Sequence, residues 1–133
     1  MKTIFDIESI LFRLLNGKTD ANGGVYPSDE RPDDSRMEDI CINTISMEAD
    51  ALPIIATSNV NIYVSDKEIS VNGRSMMKPN KQRLKALTDQ VVDILRGSLI
   101  EGCKATPTNI SILADATSSQ HFANIRIKWN INN

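Results

Sequence analysis

Apolar residues recur every three or four positions at the start of the chain. Ile4, Ile7, Ile10, Leu11, Leu14 and Leu15 fall on one stripe, which predicts an amphipathic helix over Thr3 to Leu15. Thr3 and Asp6 have the spacing of a capping box, in which each side chain satisfies the other residue's free backbone N–H. Asn16-Gly17 supplies the stop, because glycine takes the left-handed cap conformation without a Cβ clash. A second helical period follows Pro79-Asn80, with Asn80 as the N-cap. Leu84, Leu87, Val91, Ile94, Leu95 and Leu99 form its inner stripe, Lys81, Arg83, Lys85, Asp89, Asp93 and Arg96 lie outside, and Gly102 ends it.

Between and after these helices the period changes to two. Val60, Ile62 and Val64 alternate with polar neighbours in Ala56 to Asp66, the pattern of a strand with one buried face. Glu38 to Met47 carries Ile40, Ile42, Ile45 and Met47, and its change of parity predicts a bulge near Asn43-Thr44. Asn72-Gly73 sits between two short runs in Glu68 to Met77 and signals a hairpin, since both residues tolerate positive φ. Thr108 to Ala116 carries Ile110, Ile112 and Ala114. Phe122 to Ile131 alternates Ile125, Ile127, Trp129 and Ile131 with Arg126, Lys128 and Asn130, which places Trp129 in the core. The order helix, strands, helix, two strands predicts an α+β fold: a single antiparallel sheet with two helices packed on one face, as one domain over residues 1–133.

One stretch resists this grammar. Lys18 to Arg36 is polar and punctuated by Gly23, Gly24, Pro27 and Pro32, with Val25-Tyr26 as its only apolar island. It reads as a short strand followed by a long loop, and a loop of that length is functional or mobile.

Composition narrows the class. Apolar residues are 41% and charged residues 24%, the values of a globular protein, and aromatics at 5% leave the core to Ile, Leu and Val. A net charge of −2 gives no footprint for specific nucleic-acid binding. No apolar run is long enough to span a membrane, and the N-terminus does not read as a signal peptide. The charges are segregated, however. Nine acids lie between Asp20 and Asp50 against Arg31 and Arg36, whereas Lys67 to Lys104 holds eight bases against four acids. Complementary patches of this kind fit head-to-tail association.

No pattern for catalysis emerges. His121 is a lone histidine without a Cys, Asp or Glu at ligand spacing. Cys41 and Cys103 are too few for a disulfide framework and read as buried, reduced thiols. Asp29-Glu30 and Asp33-Asp34 lack a calcium-loop pattern and read as a solvated, mobile loop. Gly23-Gly24 is not followed by a lysine-threonine pair, so no phosphate loop is present. Met37, Met76 and Met77 read as core fillers, or else as soft contacts for a partner. The expectation is therefore no enzyme, no metal and no cofactor.

The element order resembles that of one family. The first amphipathic helix, Val25-Tyr26-Pro27, the strand Val60-Asn61-Ile62-Tyr63-Val64-Ser65, the Arg83-Leu84 to Leu95 helix and the closing strand pair look like the tail terminator, or tail completion, proteins of long-tailed bacteriophages and prophages. The resemblance covers nearly the whole chain and rests on element order, while the long acidic segment and the Asn72-Gly73 excursion depart from it. It implies a homo-oligomeric ring, typically hexameric, at the head–tail junction. Its partners would be the tail tube protein and the head–tail connector proteins. The chain would be found in the cytoplasm of the bacterial host during assembly and then in the virion tail. If such a ring forms, Lys81, Arg83 and Lys85 of one subunit are the candidates to meet Asp33, Asp34 and Glu38 of the next. The alternative is a small non-enzymatic protein-binding module encoded by a mobile element.

Overall fold

The computed structural model describes residues 2–50 and 52–132. Helix α1 (Ile4–Leu15) is followed by β1 (Val25–Tyr26), β2 (Ile40–Glu48), β3 (Ile54–Ser65), β4 (Lys67–Val71) and β5 (Arg74–Lys78). Helix α2 (Lys81–Arg96), β6 (Cys103–Asp115) and β7 (Gln120–Ile131) complete the chain. Five strands form one sheet in the order β1-β2-β3-β7-β6, and β4 and β5 form a separate two-stranded sheet. The fold is α+β, and both helices pack on one face of the large sheet, α1 on β2 and α2 on β3, β6 and β7.

The local signals act as their chemistry requires. Thr3 and Asp6 form the capping box, and the Asn80 side chain accepts the Arg83 N–H at the start of α2. Strand β3 alternates buried and half-buried residues along nearly its whole length. Asn72 and Gly73 both take positive φ at the hairpin tip. The bulge in β2 falls between Thr44 and Ser46, so Ile45 is the extra residue and half of it is exposed.

Trp129 is fully buried. Its indole N–H donates to Ser58 Oγ at 2.9 Å, and that hydroxyl also hydrogen-bonds Thr44 Oγ1 at 2.9 Å. A polar thread therefore crosses the core with each group partnered, which avoids the cost of an unmet buried donor, about 1–3 kcal/mol.

Four features differ from the sequence reading. The sheet is mixed, because β1 pairs parallel to β2. A parallel neighbour cannot be reached by a tight turn and needs a crossover of about a dozen residues. Residues 27–39 are that crossover, so the length of the acidic loop is set by topology. Second, α2 ends at Arg96, and Leu99 lies beyond it with 69% of its surface exposed. Its last carbonyls already have donors: Ser98 Oγ caps Leu95 O at 2.7 Å, and Lys104 Nζ reaches Arg96 O at 2.6 Å. Gly102 instead forms, with Glu101, the positive-φ turn that feeds β6. Third, β6 begins at Cys103 rather than Thr108. Pro107 does not interrupt it, because β6 is an edge strand and the proline sits at a bulge where no ladder N–H is needed. Fourth, Met37, Met76 and Met77 are exposed and fill no core gap.

Candidate functional site

The crossover 27–39 is organised by one arginine. Asp39 is a buried carboxylate with 1% of its surface exposed. It accepts Arg31 Nε at 2.8 Å, Ser35 Oγ at 2.5 Å and the Gly24 N–H at 3.0 Å. The other arm of Arg31 donates to Gln120 Oε1 at 2.8 Å, and Gln120 Nε2 donates to Arg36 O at 3.0 Å. The Arg31 guanidinium also lies 3.8 Å from the centre of the Tyr63 ring, which packs against Phe122 at 5.0 Å. Arg31 thus ties the loop to β3 and β7, against the expectation of a mobile acidic segment. The planar fork suits this task, because it serves a carboxylate, an amide and a ring face together.

Beneath the loop lies an open polar cleft of about 640 Å3 on the sheet face that carries no helix. Asn43, Asn59, Asn61 and Tyr63 line it, with Cys41 among them and Asp115 at the far side. The amides are laced together: Asn124 Nδ2 donates to Asn61 Oδ1 at 2.7 Å and to Asn59 Oδ1 at 3.3 Å. Burial pushes the Cys41 thiol up to about 11, against the opposing pull of Arg31. That holds it as the unreactive thiol. Burial also raises the Cys103 thiol.

His121, which sequence spacing left without a partner, lies 2.6 Å from Asp66 through Nδ1. The two are 55 positions apart and meet because their strands pair, so no local signal pointed to them. Among the described residues no hydroxyl or thiol bonds to the ring, and no group of three or more His, Cys, Asp or Glu could hold a metal ion.

The residues put forward for contact between subunits separate into two groups. Arg83 and Glu38 find each other within one chain. Arg83 Nε donates to Glu38 Oε2 at 2.7 Å and its Nη2 to Oε1 at 2.8 Å, and Nη2 also reaches Asp20 O at 2.8 Å. That hydrogen-bonded fork holds the Glu38 carboxyl below the usual carboxylate range. Arg83 and Glu38, expected on opposite sides of a subunit contact, are thus already paired inside one chain, because the entry to β2 lies beside α2. Lys85 likewise pairs with Asp89 one turn along α2 at 2.5 Å. Lys81, Asp33 and Asp34 are exposed.

Two further surfaces stand out. Every residue of β5 is exposed, and of β4 only Ile69 is half-buried. Cross-strand pairing puts Ile69 opposite Met76 and Val71 opposite Arg74 on one face of this hairpin. At the far side of the large sheet, β6 is an edge strand. Its second half points Ile110 and Ile112 to the helix side, where neither helix covers them, and each is 49% exposed.

Comparison of the chain with family models, curated proteins and solved structures gives no match.

Proposed function

We propose that this protein is a structural subunit that works by assembling with other copies and with neighbouring proteins. Its most specific form is a ring-forming tail terminator or completion subunit of a long-tailed phage or prophage. The observation that carries the proposal is a pair of exposed surfaces: the β4–β5 hairpin, with Ile69, Val71 and Met76 among cations on one face, and the free edge of β6. An isolated two-stranded hairpin is marginal in water. A long apolar edge strand is an invitation to pair with another chain. Neither helps a monomer, and both serve a subunit. The element order adds the resemblance to tail terminators. The partners on this reading are the tail tube protein and the head–tail connector, met in the host cytoplasm and retained in the virion tail. No helix among the described residues is long and apolar enough to cross a membrane.

The test combines assembly and activity. Native mass spectrometry of the full chain, alone and with a phage tail tube protein, should give a closed ring. Adding the chain to polymerising tube protein should cap the tubes and narrow their length distribution under the electron microscope. Tubes of unchanged length would sink the terminator role, and a monomer under both conditions would sink assembly itself. The polar cleft under the 27–39 crossover favours a second reading, a small protein-binding module of a mobile element that works as a monomer or dimer. That module would capture a partner without forming a ring.

A further inference from the structure

We infer that the groove between α1 and β1 binds a basic, proline-rich segment of a partner protein in the polyproline II conformation. This groove is separate from the β4–β5 hairpin and from the β6 edge, so it does not rest on the assembly reading.

The chain has six aromatic side chains: one Trp, two Tyr and three Phe. Three of them serve the fold. Trp129 fills the core, and Tyr63 packs against Phe122 beside the Arg31 guanidinium. The other three, Phe5, Phe12 and Tyr26, line one open groove of about 500 Å3 together with Pro27. The buried stripe of α1 is Ile7, Ile10, Leu11 and Leu15, whereas Phe5 is 77% exposed. Half of the aromatics therefore stand around a surface groove, where rings act in recognition rather than in core packing.

The spacing of the rings selects the conformation of the guest. Phe5 and Phe12 are seven positions apart, so two turns of α1 put them on one line, about 10 Å apart along the axis. A polyproline II helix rises about 3.1 Å per residue with three residues per turn, and so repeats at about 9 Å. Successive turns of such a segment meet the two rings nearly in step. An added strand has less to hold. Strand β1 lies at the edge of the sheet, but its two residues are too few to template a ladder. A polyproline II backbone needs no ladder, because it keeps its hydration.

The charges select the flanks of the guest. Glu8 and Glu30 line the same groove, and no lysine or arginine among the described residues does. Glu8 accepts the Ser28 N–H at 3.3 Å and the Ser28 hydroxyl at 3.1 Å, which fixes its carboxylate at the groove wall. The bases at the two ends of α1, Lys2 and Arg13, are both drawn to Glu101 instead. Carboxylates beside a ring-lined groove favour a cation at the end of the bound segment. Arginine suits it best, because a guanidinium also stacks on an aromatic face.

A peptide array probed with the full chain tests this. It holds proline-rich segments with arginine at either end, the same segments ending in glutamate, and the same segments with glycine in place of proline. Only the arginine-ended, proline-containing members should retain the protein. The best of them, labelled with fluorescein, is then titrated by anisotropy. Phe5→Ser should weaken its binding about tenfold, as loss of an aromatic anchor does. Glu30→Lys should weaken it too, by a factor that shrinks at high salt. Both positions are exposed, so the fold should persist, and the emission of buried Trp129 checks it. Retention of the glycine members equal to that of the proline members would overturn the inference, since charge alone would then account for binding. So would an array on which no arginine-ended member exceeds its glutamate-ended control, or undiminished affinity in Phe5→Ser. None of these outcomes alters the assembly reading, which native mass spectrometry tests by itself.

Discussion

The guanidinium of Arg83 grips the carboxylate of Glu38 with two parallel hydrogen bonds, at 2.7 and 2.8 Å, across 45 positions of sequence. Glu38 in turn accepts the Asn22 N–H at 3.1 Å, and Asn22 Oδ1 accepts the Glu38 N–H at 2.7 Å. The segment before β1, the entry to β2 and the first turns of α2 are thereby fastened at one point. Charge at Arg83 is a folding device of this subunit before it can be anything else.

Arg83→Met should therefore cost about 1.5 kcal/mol, the worth of hydrogen bonds to a charged group that is partly exposed. Lys85→Met should cost far less, because its pair with Asp89 is an exposed one within a helix. Urea midpoints read by Trp129 emission would rank the two, and equal midpoints would refute the assignment. The pair also has a definite pH window. Arg83 lowers the folded-state pKa of Glu38 from its ordinary 4.5, so its stabilisation is present above that pH. It is lost as pH falls below 4.5 through the folded value. The gap between wild type and Glu38→Gln should shrink over that range and stay constant from pH 6 to 8.

Arg31→Ala leaves Asp39 buried with its cation gone, a change that costs about 3 kcal/mol. The crossover should then become cleavable by protease between residues 27 and 36 while the core persists. Arg31→Lys should recover less than half of the loss, since one ammonium cannot serve Asp39, Gln120 and the Tyr63 ring together. Full rescue by lysine would mean that only charge matters there.

Gly23 is required by space rather than by dihedral angle. A Cβ at this position would lie 2.2 Å from Asp39 Oδ1 and 2.6 Å from the Glu38 carbonyl. Gly23→Ala should destabilise by about 2 kcal/mol or more, because backbone on the β2 side must move. Gly73→Ala provides the contrast: its Cβ would meet nothing, and the expected loss of about 1 kcal/mol comes from the positive φ alone. Thermal melts of the two variants would separate the causes.

The native protein should resist thiol reagents. With Cys41 near 11, roughly a thousandth of it is thiolate at pH 8. Cys41 is half-buried in the cleft, and Cys103 is buried in the core. A chromogenic disulfide reagent should titrate almost no thiol in buffer and both thiols in strong denaturant. Rapid reaction of one thiol in buffer would show that the cleft opens around Cys41.

Much of the architecture is written in local patterns that depend on neighbours one to four residues apart. The stripe of α1, the Asn80 cap, the alternation of β3 and the Asn72-Gly73 turn each follow from rules of that range, and the α+β class follows from their order. The bulge in β2 was visible because it shifts the parity of the apolar residues. Leu99 shows how such a signal overruns: its spacing continues the stripe of α2, yet Ser98 and Lys104 satisfy the last carbonyls and end the helix sooner.

What the sequence settled by itself is the identity and sidedness of the elements, because period and capping are properties of contiguous residues. Which partners the charges take was decided only by tertiary structure. Arg83 met Glu38, Arg31 met Asp39 and Gln120, and His121 met Asp66 because strand order and the parallel crossover carried them together. The same is true of what was left over. Ile110 and Ile112 carry the alternation of a buried strand, yet they lie open, beyond the stretch of β6 where Cys103 and Ala105 are buried. Ion pairs and uncovered edges depend on distance in space, to which spacing along the chain gives no access.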